Sequence, residues 1–224
     1  MSSTFLLVLI IIAVIAFIAI WMVNRKSAQQ EAKQIAARDI ALPDGQDHTI
    51  LNLRKDGVFS LRAFGNDMDD LDVHVLARHL YSDDDSEWFE LEGEAGGRKV
   101  WLTVFDDDEL EISITLEKKK IDAVDVTMDE LETYARKQDK GKSAKRPKFD
   151  YEGRTYKLDC YDEALFHKNS VRSSRERYEY WEFESDDETR AISVEKWSDG
   201  SVEVHVSQTV NENQITVFSV SGGA

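Results

Sequence analysis

The chain has 224 residues and a formal net charge of −16. Nucleic acid and anionic lipid repel so acidic a chain, which argues against both as partners of its charged domains. The length suffices for one large or two small domains, and the single cysteine argues against a disulfide framework.

The N-terminal 26 residues contain an uninterrupted apolar run from Phe5 to Val23. As an α-helix, this run spans roughly 28 Å, close to the hydrocarbon thickness of a bilayer. The alternative, a cleaved signal peptide, has a basic segment before the run and a small-residue cleavage site after it. Here nothing basic precedes the run, and Trp21, Arg25 and Lys26 lie at or after its end. We therefore expect residues 1–26 to form a transmembrane anchor in contact with the lipid bilayer.

The charges flanking the run predict its orientation. Lys and Arg near a membrane span favour the cytoplasm, and they occur only on the C-terminal flank, beginning with Arg25 and Lys26. We expect a single-pass protein of the cell inner (plasma) membrane, with the N-terminus outside and the soluble region cytoplasmic. Residues 27–45, rich in Ala, Gln and charge, predict a juxtamembrane helix or spacer that ends at Pro43 and Gly45.

Residues 46–126 are predicted to form a first β domain. Five segments in this range alternate in polarity or run apolar at strand length, and Gly or Asp clusters separate them. The segments are VFSLRAF, LDVHVLARHLY, WFELE, RKVWLTVF and LEISITL.

Residues 127–148 predict a short helix followed by a basic linker. Thr127 and Glu130 have the spacing of a capping box at the start of the segment DELETYARK. From Arg136 to Lys148 the chain carries seven Lys or Arg residues and one Asp, a net charge of +6. This exposed linker either touches anionic lipid or acts as a solvated tether.

Residues 149–220 predict a second β domain, and residues 221–224 a frayed tail. Five further strand-like segments occur here: RTYKLDCY, RYEYWEFE, RAISVEKW, SVEVHVSQTV and QITVFSV.

The two β regions align with each other without a gap over 27 residues, at an offset of 92 positions. Trp88 falls on Tyr180 and Phe105 on Trp197, the apolar positions keep their alternation, and the acidic turn keeps its place. The general likeness of β meanders is one explanation. Duplication of a unit of roughly 70 residues explains the aromatic and acidic matches better.

These patterns predict a mainly β protein with two tandem small antiparallel β-barrel or sandwich domains plus one N-terminal transmembrane helix. We expect each copy to close its own core, because packing one acidic unit against another is electrostatically costly unless the buried faces are apolar.

The pattern EGRTYKLDCY, followed by RYEYWEFESDDETRAISVEKWSDGSVEV, resembles the bacterial domain-of-unknown-function 4178 family. The resemblance covers about residues 48–116 and 149–219, which implies two tandem copies behind the anchor. The first copy departs from the family pattern at its opening, where Phe59 occupies the position that Tyr156 has in the second copy. Similar proteins are encoded beside phage-shock-A-like membrane-remodelling proteins, small multi-pass membrane proteins and spermidine-synthase-like enzymes. The resemblance implies this setting and no catalytic residues.

Aromatic residues recur at matched strand positions, next to acidic turns. Core packing is their usual role, and a binding groove is the alternative. The candidate binding surface consists of Trp88, Trp101, Phe105, Trp181, Trp197, Asp107 and Asp199.

Aspartates cluster between Asp67 and Asp72, at Asp83–Asp85 and at Asp106–Asp108, which raises the question of a metal site. A hard cation such as Ca²⁺ needs six to eight converging oxygens, and the spacing of an EF-hand loop is absent from the sequence. Acidic turns explain the clusters equally well. We expect neither a metal nor a cofactor.

No catalytic constellation is visible in the sequence. The five histidines lack zinc-site spacing, and His74 and His205 are expected at the surface or at a sheet edge. Cys160 has no basic neighbour and is expected to be a buried, unreactive thiol. We expect no enzymatic activity, although glycosidase-like carboxylate pairs stay open as an alternative.

We expect a non-enzymatic, membrane-tethered interaction or scaffold module in a bacterial membrane-stress or remodelling system. Its expected partner is a phage-shock-A-like protein or a small multi-pass membrane protein. The alternative is an acidic module that binds a polycation such as spermidine beside a polyamine-synthase-like enzyme. The two copies together carry −24, the sum of −16 for residues 41–135 and −8 for residues 149–224.

Overall fold

A computed structural model describes residues 48–64, 69–107 and 109–221. This part of the chain folds into eleven β-strands and one α-helix, which confirms the predicted mainly β class. The first half holds β1 (Val58–Phe64), β2 (Asp69–Ser82), β3 (Glu87–Ala95), β4 (Arg98–Asp106) and β5 (Leu110–Lys119). Helix α1 (Met128–Gln138) follows. The second half holds β6 (Lys148–Tyr151), β7 (Arg154–His167), β8 (Arg175–Ser185), β9 (Arg190–Trp197), β10 (Val202–Thr209) and β11 (Ile215–Ser219).

All eleven strands belong to one sheet, in the order β11-β1-β2-β3-β4-β5-β10-β9-β8-β7-β6. Every pairing in the sheet is antiparallel. The structure therefore differs from the prediction of two small domains, each with a sheet of its own. A lone half would leave β5 or β10 as an unpaired edge, and pairing the two edges satisfies their backbone hydrogen bonds.

The halves meet along two seams. At the first, β5 pairs with β10, and the Lys118 ammonium lies 2.8 Å from a carboxylate oxygen of Glu203 across the seam. At the second, the end of β2 pairs with the end of β7 over three residue pairs. There Ser82 Oγ lies 3.2 Å from His167 Nε2. The two seams close a ring of eight strands, β2-β3-β4-β5-β10-β9-β8-β7, and the opposite charges across the first seam offset part of the acidic repulsion.

The two halves repeat the same order of strands, β1 to β5 and β6 to β10. The gap-free alignment places β3 on β8, β4 on β9 and β5 on β10, so matched segments form matched strands. The matched strands also bury matched positions: Leu102 in β4 and its counterpart Val194 in β9 are both fully buried.

The buried apolar side chains form two large clusters, both on the aliphatic faces of the strands. The first contains Phe59, Leu91 and Ile114 and is completed by Val210, from the end of the second half. The second lies under α1 and contains Leu131, Tyr156, Trp181, Phe183 and Val194. Each large side chain buried in this way stabilises the fold by roughly 1.5–3 kcal/mol.

Helix α1 begins at the predicted capping box. The Thr127 hydroxyl accepts the backbone N–H of Glu130 at 3.3 Å, and the Glu130 carboxylate accepts the N–H of Thr127 at 3.0 Å. The basic stretch that follows is exposed, except for the half-buried Ala144 and Pro147. It fits the predicted linker, and the carbonyl of Pro147 joins it to β7 by accepting the N–H of Leu158.

Among the described residues, no helix has both the length and the apolar character that a bilayer crossing requires. The predicted anchor and spacer, residues 1–45, and the last three residues of the tail lie outside the described residues.

Candidate binding site

The second seam brings aromatic residues of both halves together. The rings of Tyr81 in β2 and Tyr178 in β8 meet edge to face, with centroids 5.8 Å apart. The rings of Trp88 and Tyr180 lie 6.3 Å apart in the same manner. We call this group the aromatic junction; its members are Tyr81, Trp88, Phe105, Phe166, Tyr178, Tyr180 and Trp197.

A charged group, the interior cluster, lies on the same faces of the strands as the junction. It consists of Glu90, Lys118, Glu195, Glu203 and His205. Strand alternation positions its second-half members, because Glu203 and His205 alternate with the core valines of β10 and Glu203 pairs directly with Glu195. Glu90, Glu195 and His205 are each less than 10% exposed.

His205 lies between two carboxylates. Its Nδ1 lies 3.6 Å from Glu195 Oε1, and its Nε2 lies 3.2 Å from Glu203 Oε2. Burial lowers the pKa of His205, but the charge of Glu195 and the hydrogen bond to Glu203 outweigh it and raise that pKa above its usual value. The ring is therefore suited to carry a proton between the two carboxylates.

Glu90 shows the opposite balance. Burial raises the pKa of its carboxyl group to about 7, since the nearby positive charges of His205 and Lys118 only partly compensate. The Tyr81 hydroxyl donates to Glu90 Oε1 at 3.4 Å. Burial and the charge of Glu90 raise the pKa of Tyr81, so this hydroxyl stays a donor.

The interior cluster also contains a set of metal-ligand types. Glu195, Glu203 and His205 each offer one ligand atom, and these three atoms lie within 4.8 Å of one another. Chemically, the cluster holds two buried carboxyl groups, Glu90 and Glu195, beside the partly exposed Glu203, and either protons or a cation can balance their charge.

A second feature, the acidic cleft, has a volume of about 530 Å³ and draws residues from both halves. Its carboxylates are Asp83, Asp84, Asp139, Asp162 and Glu163. Its one lining cation, Arg177, is ion-paired with Glu163. Tyr161 also lines the cleft, and partial burial, followed by the nearby carboxylates, raises its pKa to about 12.

The structure places the predicted binding residues in several environments. Trp88, Phe105 and Trp197 come together in the aromatic junction. Trp101 lies under the Lys118 ammonium, 4.8 Å from its ring centroid, whereas Trp181 is fully buried in the apolar core under α1.

The predicted acidic residues and anchor residues lie elsewhere. Asp107 and Asp199 are exposed in turns, and Asp199 accepts the backbone N–H of Ser201. Asp83 likewise accepts the N–H groups of Asp85 and Ser86, as the acidic-turn interpretation expects. The anchor residues Phe5, Trp21, Arg25 and Lys26 are outside the described residues.

Two expectations about single residues are wrong. His205 was expected at the surface or at a sheet edge and is buried, because ring closure covers the polar face of β10. Cys160 was expected to be buried and is exposed. Partial desolvation, followed by the charges of Glu182 and Asp159, raises its thiol pKa to about 12, which keeps the thiol protonated.

Sequence reasoning missed Tyr81, Tyr178, Glu90 and Glu195 as site residues. Their strand segments do carry a signal, because polar or aromatic residues occupy most positions opposite the aliphatic face, most regularly in β8. That pattern is also the ordinary pattern of a solvated sheet face, so the pairing of the halves had to be known first.

Comparison with known proteins gives one family. The model described as domain of unknown function (DUF4178) matches residues 67–212, while no curated protein and no solved structure matches the chain. The match runs through both halves, from before β2 to after β10, and leaves β1 and β11 outside. It covers about two-thirds of the 224 residues, and the chain therefore belongs to the DUF4178 family.

Proposed function

We propose that the protein is a non-enzymatic, membrane-tethered interaction module whose partner adds to the sheet at β11. The observation that carries this proposal is the character of that strand. β11 is a terminal strand of the sheet, and its sequence, ITVFS, contains no charge in a chain of net charge −16.

Natural sheet edges are usually protected by charged residues, proline or bulges, because an unprotected edge pairs with other strands. β11 has a bulge at Phe218, since Val58 and Phe59 of β1 pair with Ser219 and Val217, but it contains neither a charged residue nor a proline. In β11, Phe218 is 57% exposed, while Ile215 and Val217 pack partly against the first core. An extended segment of a partner can pair with this edge through its backbone and cover Phe218 with an apolar side chain.

The setting follows from the anchor and the family. A tether at residues 5–23 confines the module to the membrane surface and favours a membrane protein or membrane-associated protein as partner. The family's setting suggests a phage-shock-A-like protein or a small multi-pass membrane protein in a membrane-stress or remodelling system. An inner-membrane protein with a cytoplasmic module fits this role.

Affinity capture from detergent-solubilised membranes tests the proposal. Wild type is compared with Phe218→Glu, which places a charge on the exposed apolar position. Ser173→Glu, in an exposed turn, is the matched control. We expect wild type and the control to recover the same membrane-associated partner and Phe218→Glu to lose it. Equal recovery by all three proteins, or no partner with any, contradicts the proposal.

A second candidate function is the binding of a polycation such as spermidine in the acidic cleft. Five carboxylates face a single arginine there, and the arginine is already paired. Ammonium groups pair with such carboxylates, while methylene segments can lie against the ring of Tyr161.

Calorimetry of the full-length protein with spermidine separates this candidate from general charge attraction. The double variant Asp84→Asn/Asp139→Asn removes two cleft charges, and Asp107→Asn/Glu109→Gln removes two exposed charges elsewhere. Specific binding survives at about 0.15 M salt and weakens only in the cleft variant. Binding that disappears at this salt concentration, or that weakens equally in both variants, rules out the cleft.

The two tandem copies belong to the same proposal. The repeated strand order and the antiparallel seams, β5 with β10 and β2 with β7, support an origin by duplication of one unit. The resulting module joins the copies edge to edge.

A further inference from the structure

The interior cluster takes no part in the β11 edge or in the acidic cleft. Within it, Glu195, Glu203 and His205 lie side by side on adjacent strands, β9 and β10, with Glu195 and Glu203 as direct cross-strand partners. Rigid paired strands, rather than mobile loops, therefore position these three side chains.

Their separations suit a metal site. One ligand atom from each lies within 4.8 Å of the others. The shortest nitrogen–oxygen distances, 3.2 Å from Nε2 to Glu203 and 3.6 Å from Nδ1 to Glu195, involve different ring nitrogens, and an ion can take only one of them. In a tetrahedral site with bonds of about 2.0–2.1 Å, neighbouring ligand atoms are roughly 3.3 Å apart. To bind one ion, a single ring nitrogen and both carboxylates must close from this 4.8 Å spread by side-chain rotation on a fixed backbone.

A second, independent observation points to a missing ligand. Glu195 Oε2 is fully shielded from solvent and has no hydrogen-bond partner within the described part of the chain. Glu195 as a whole is 7% exposed. A buried carboxylate oxygen without a donor is costly, and such atoms in native proteins are normally satisfied by a partner, a water or an ion.

The charges of the cluster also favour a bound cation. Three carboxylates, Glu90, Glu195 and Glu203, face one ammonium, Lys118, and one imidazole, His205. Above the Glu90 pKa of about 7, where all three carboxylates are taken as ionised, even a protonated imidazole leaves one negative charge in excess.

We propose that Glu195, Glu203 and His205 form a binding site for a divalent transition-metal ion such as Zn²⁺. An imidazole nitrogen with two carboxylate oxygens is a donor set typical of such ions, whereas Ca²⁺ and Mg²⁺ prefer oxygen ligands alone. Three protein ligands leave one position of a tetrahedral ion for water or for a further ligand.

Lys118 competes with the metal. Its ammonium donates to Glu203 Oε2 at 2.8 Å and lies over the ring of Trp101. A metal ion on Glu203 must weaken this ion pair, so removing the ammonium should tighten metal binding. If the cluster were only a structural charge network, removing the Lys118 ammonium would weaken that network and would not tighten metal binding.

The test uses the full-length protein, stripped of metal and titrated with Zn²⁺ at pH 8, because a metal-binding imidazole must be unprotonated. Co²⁺, with its ligand-dependent visible absorption, is a second probe. We expect one strong equivalent per chain, an affinity loss of about tenfold or more in Glu195→Gln, and a gain in Lys118→Met.

Glu111→Gln is the matched control, because Glu111 aligns with Glu203 in the first half and is exposed. This variant should bind as wild type does. If Glu195→Gln fails to fold by circular dichroism, Glu203→Gln takes its place. Any of three results would overturn the site. They are the absence of a strong equivalent of Zn²⁺, an equal loss of Zn²⁺ affinity in Glu111→Gln and in the Glu195→Gln or Glu203→Gln variant, and weaker Zn²⁺ binding by Lys118→Met.

Discussion

At the scale of single residues, Glu90 is the buried acid with the clearest consequence for stability. It faces Tyr81 from β2, Lys118 from β5, Glu195 from β9 and His205 from β10. Its pKa in the folded protein is about 7, whereas the ordinary value is 4.5. Between these pH values the folded state holds a proton that the unfolded state has released, so stability falls as pH rises through this window.

Glu90→Gln keeps the size and the acceptor for Tyr81 but removes this titration. Relative to wild type, we expect the variant to gain up to roughly 3 kcal/mol in unfolding free energy between pH 4.5 and 8. Urea unfolding of both full-length proteins across this range measures the difference. A difference that does not change with pH would show that Glu90 ionises normally. The titration of His205 lowers stability in the same direction and is present in both proteins.

The burial of a single residue could be predicted from the sequence only where the apolar/polar alternation of its own strand determines it. Leu102, Val194 and Trp181 lie on apolar faces that the strand pattern already marks. His205 lies on the polar face of the same pattern, and only a contact with a distant strand decides whether such a face meets water or protein. Its burial was therefore beyond sequence reasoning.

At the scale of elements, the strands and α1 were predictable because their signals are local. Alternation marks the strands, and the Thr127–Glu130 capping box marks the helix start. The seams are different, since β5 joins β10 and β2 joins β7 across 83 to 96 residues of chain. The sequence offers no local signal for which edges will pair, and it therefore led to the prediction of two separate domains where the structure has one sheet.

Gly93 shows how closely neighbouring elements pack. A Cβ at this position in β3 would lie 2.5 Å from Val73 Cγ1 and 3.2 Å from the carbonyl oxygen of His74, both in β2. Gly93→Ala should therefore destabilise the fold by about 1–3 kcal/mol.

Gly96→Asn is the matched control for this substitution. A Cβ there meets no atom within 4 Å, and asparagine tolerates the positive φ of the turn. Thermal unfolding should show a clearly lower midpoint for Gly93→Ala than for Gly96→Asn. Equal midpoints would mean that β2 and β3 can separate to accept a methyl group.

At the scale of the whole molecule, each candidate site depends on both halves. The acidic cleft combines Asp83 and Asp84 with Asp162 and Glu163, and the interior cluster combines Glu90 and Lys118 with residues of β9 and β10. The edge strand β11 pairs with β1 of the first half. The central claim is therefore that the halves form one body through the two seams.

Limited trypsin digestion of the full-length protein tests this claim most directly. The exposed basic stretch from Arg136 to Lys148 should be cut first, because its side chains carry few buried contacts. We predict that the two fragments then remain together on gel filtration under native conditions and unfold in one cooperative transition. Fragments that separate and unfold independently, in two transitions, would contradict the account.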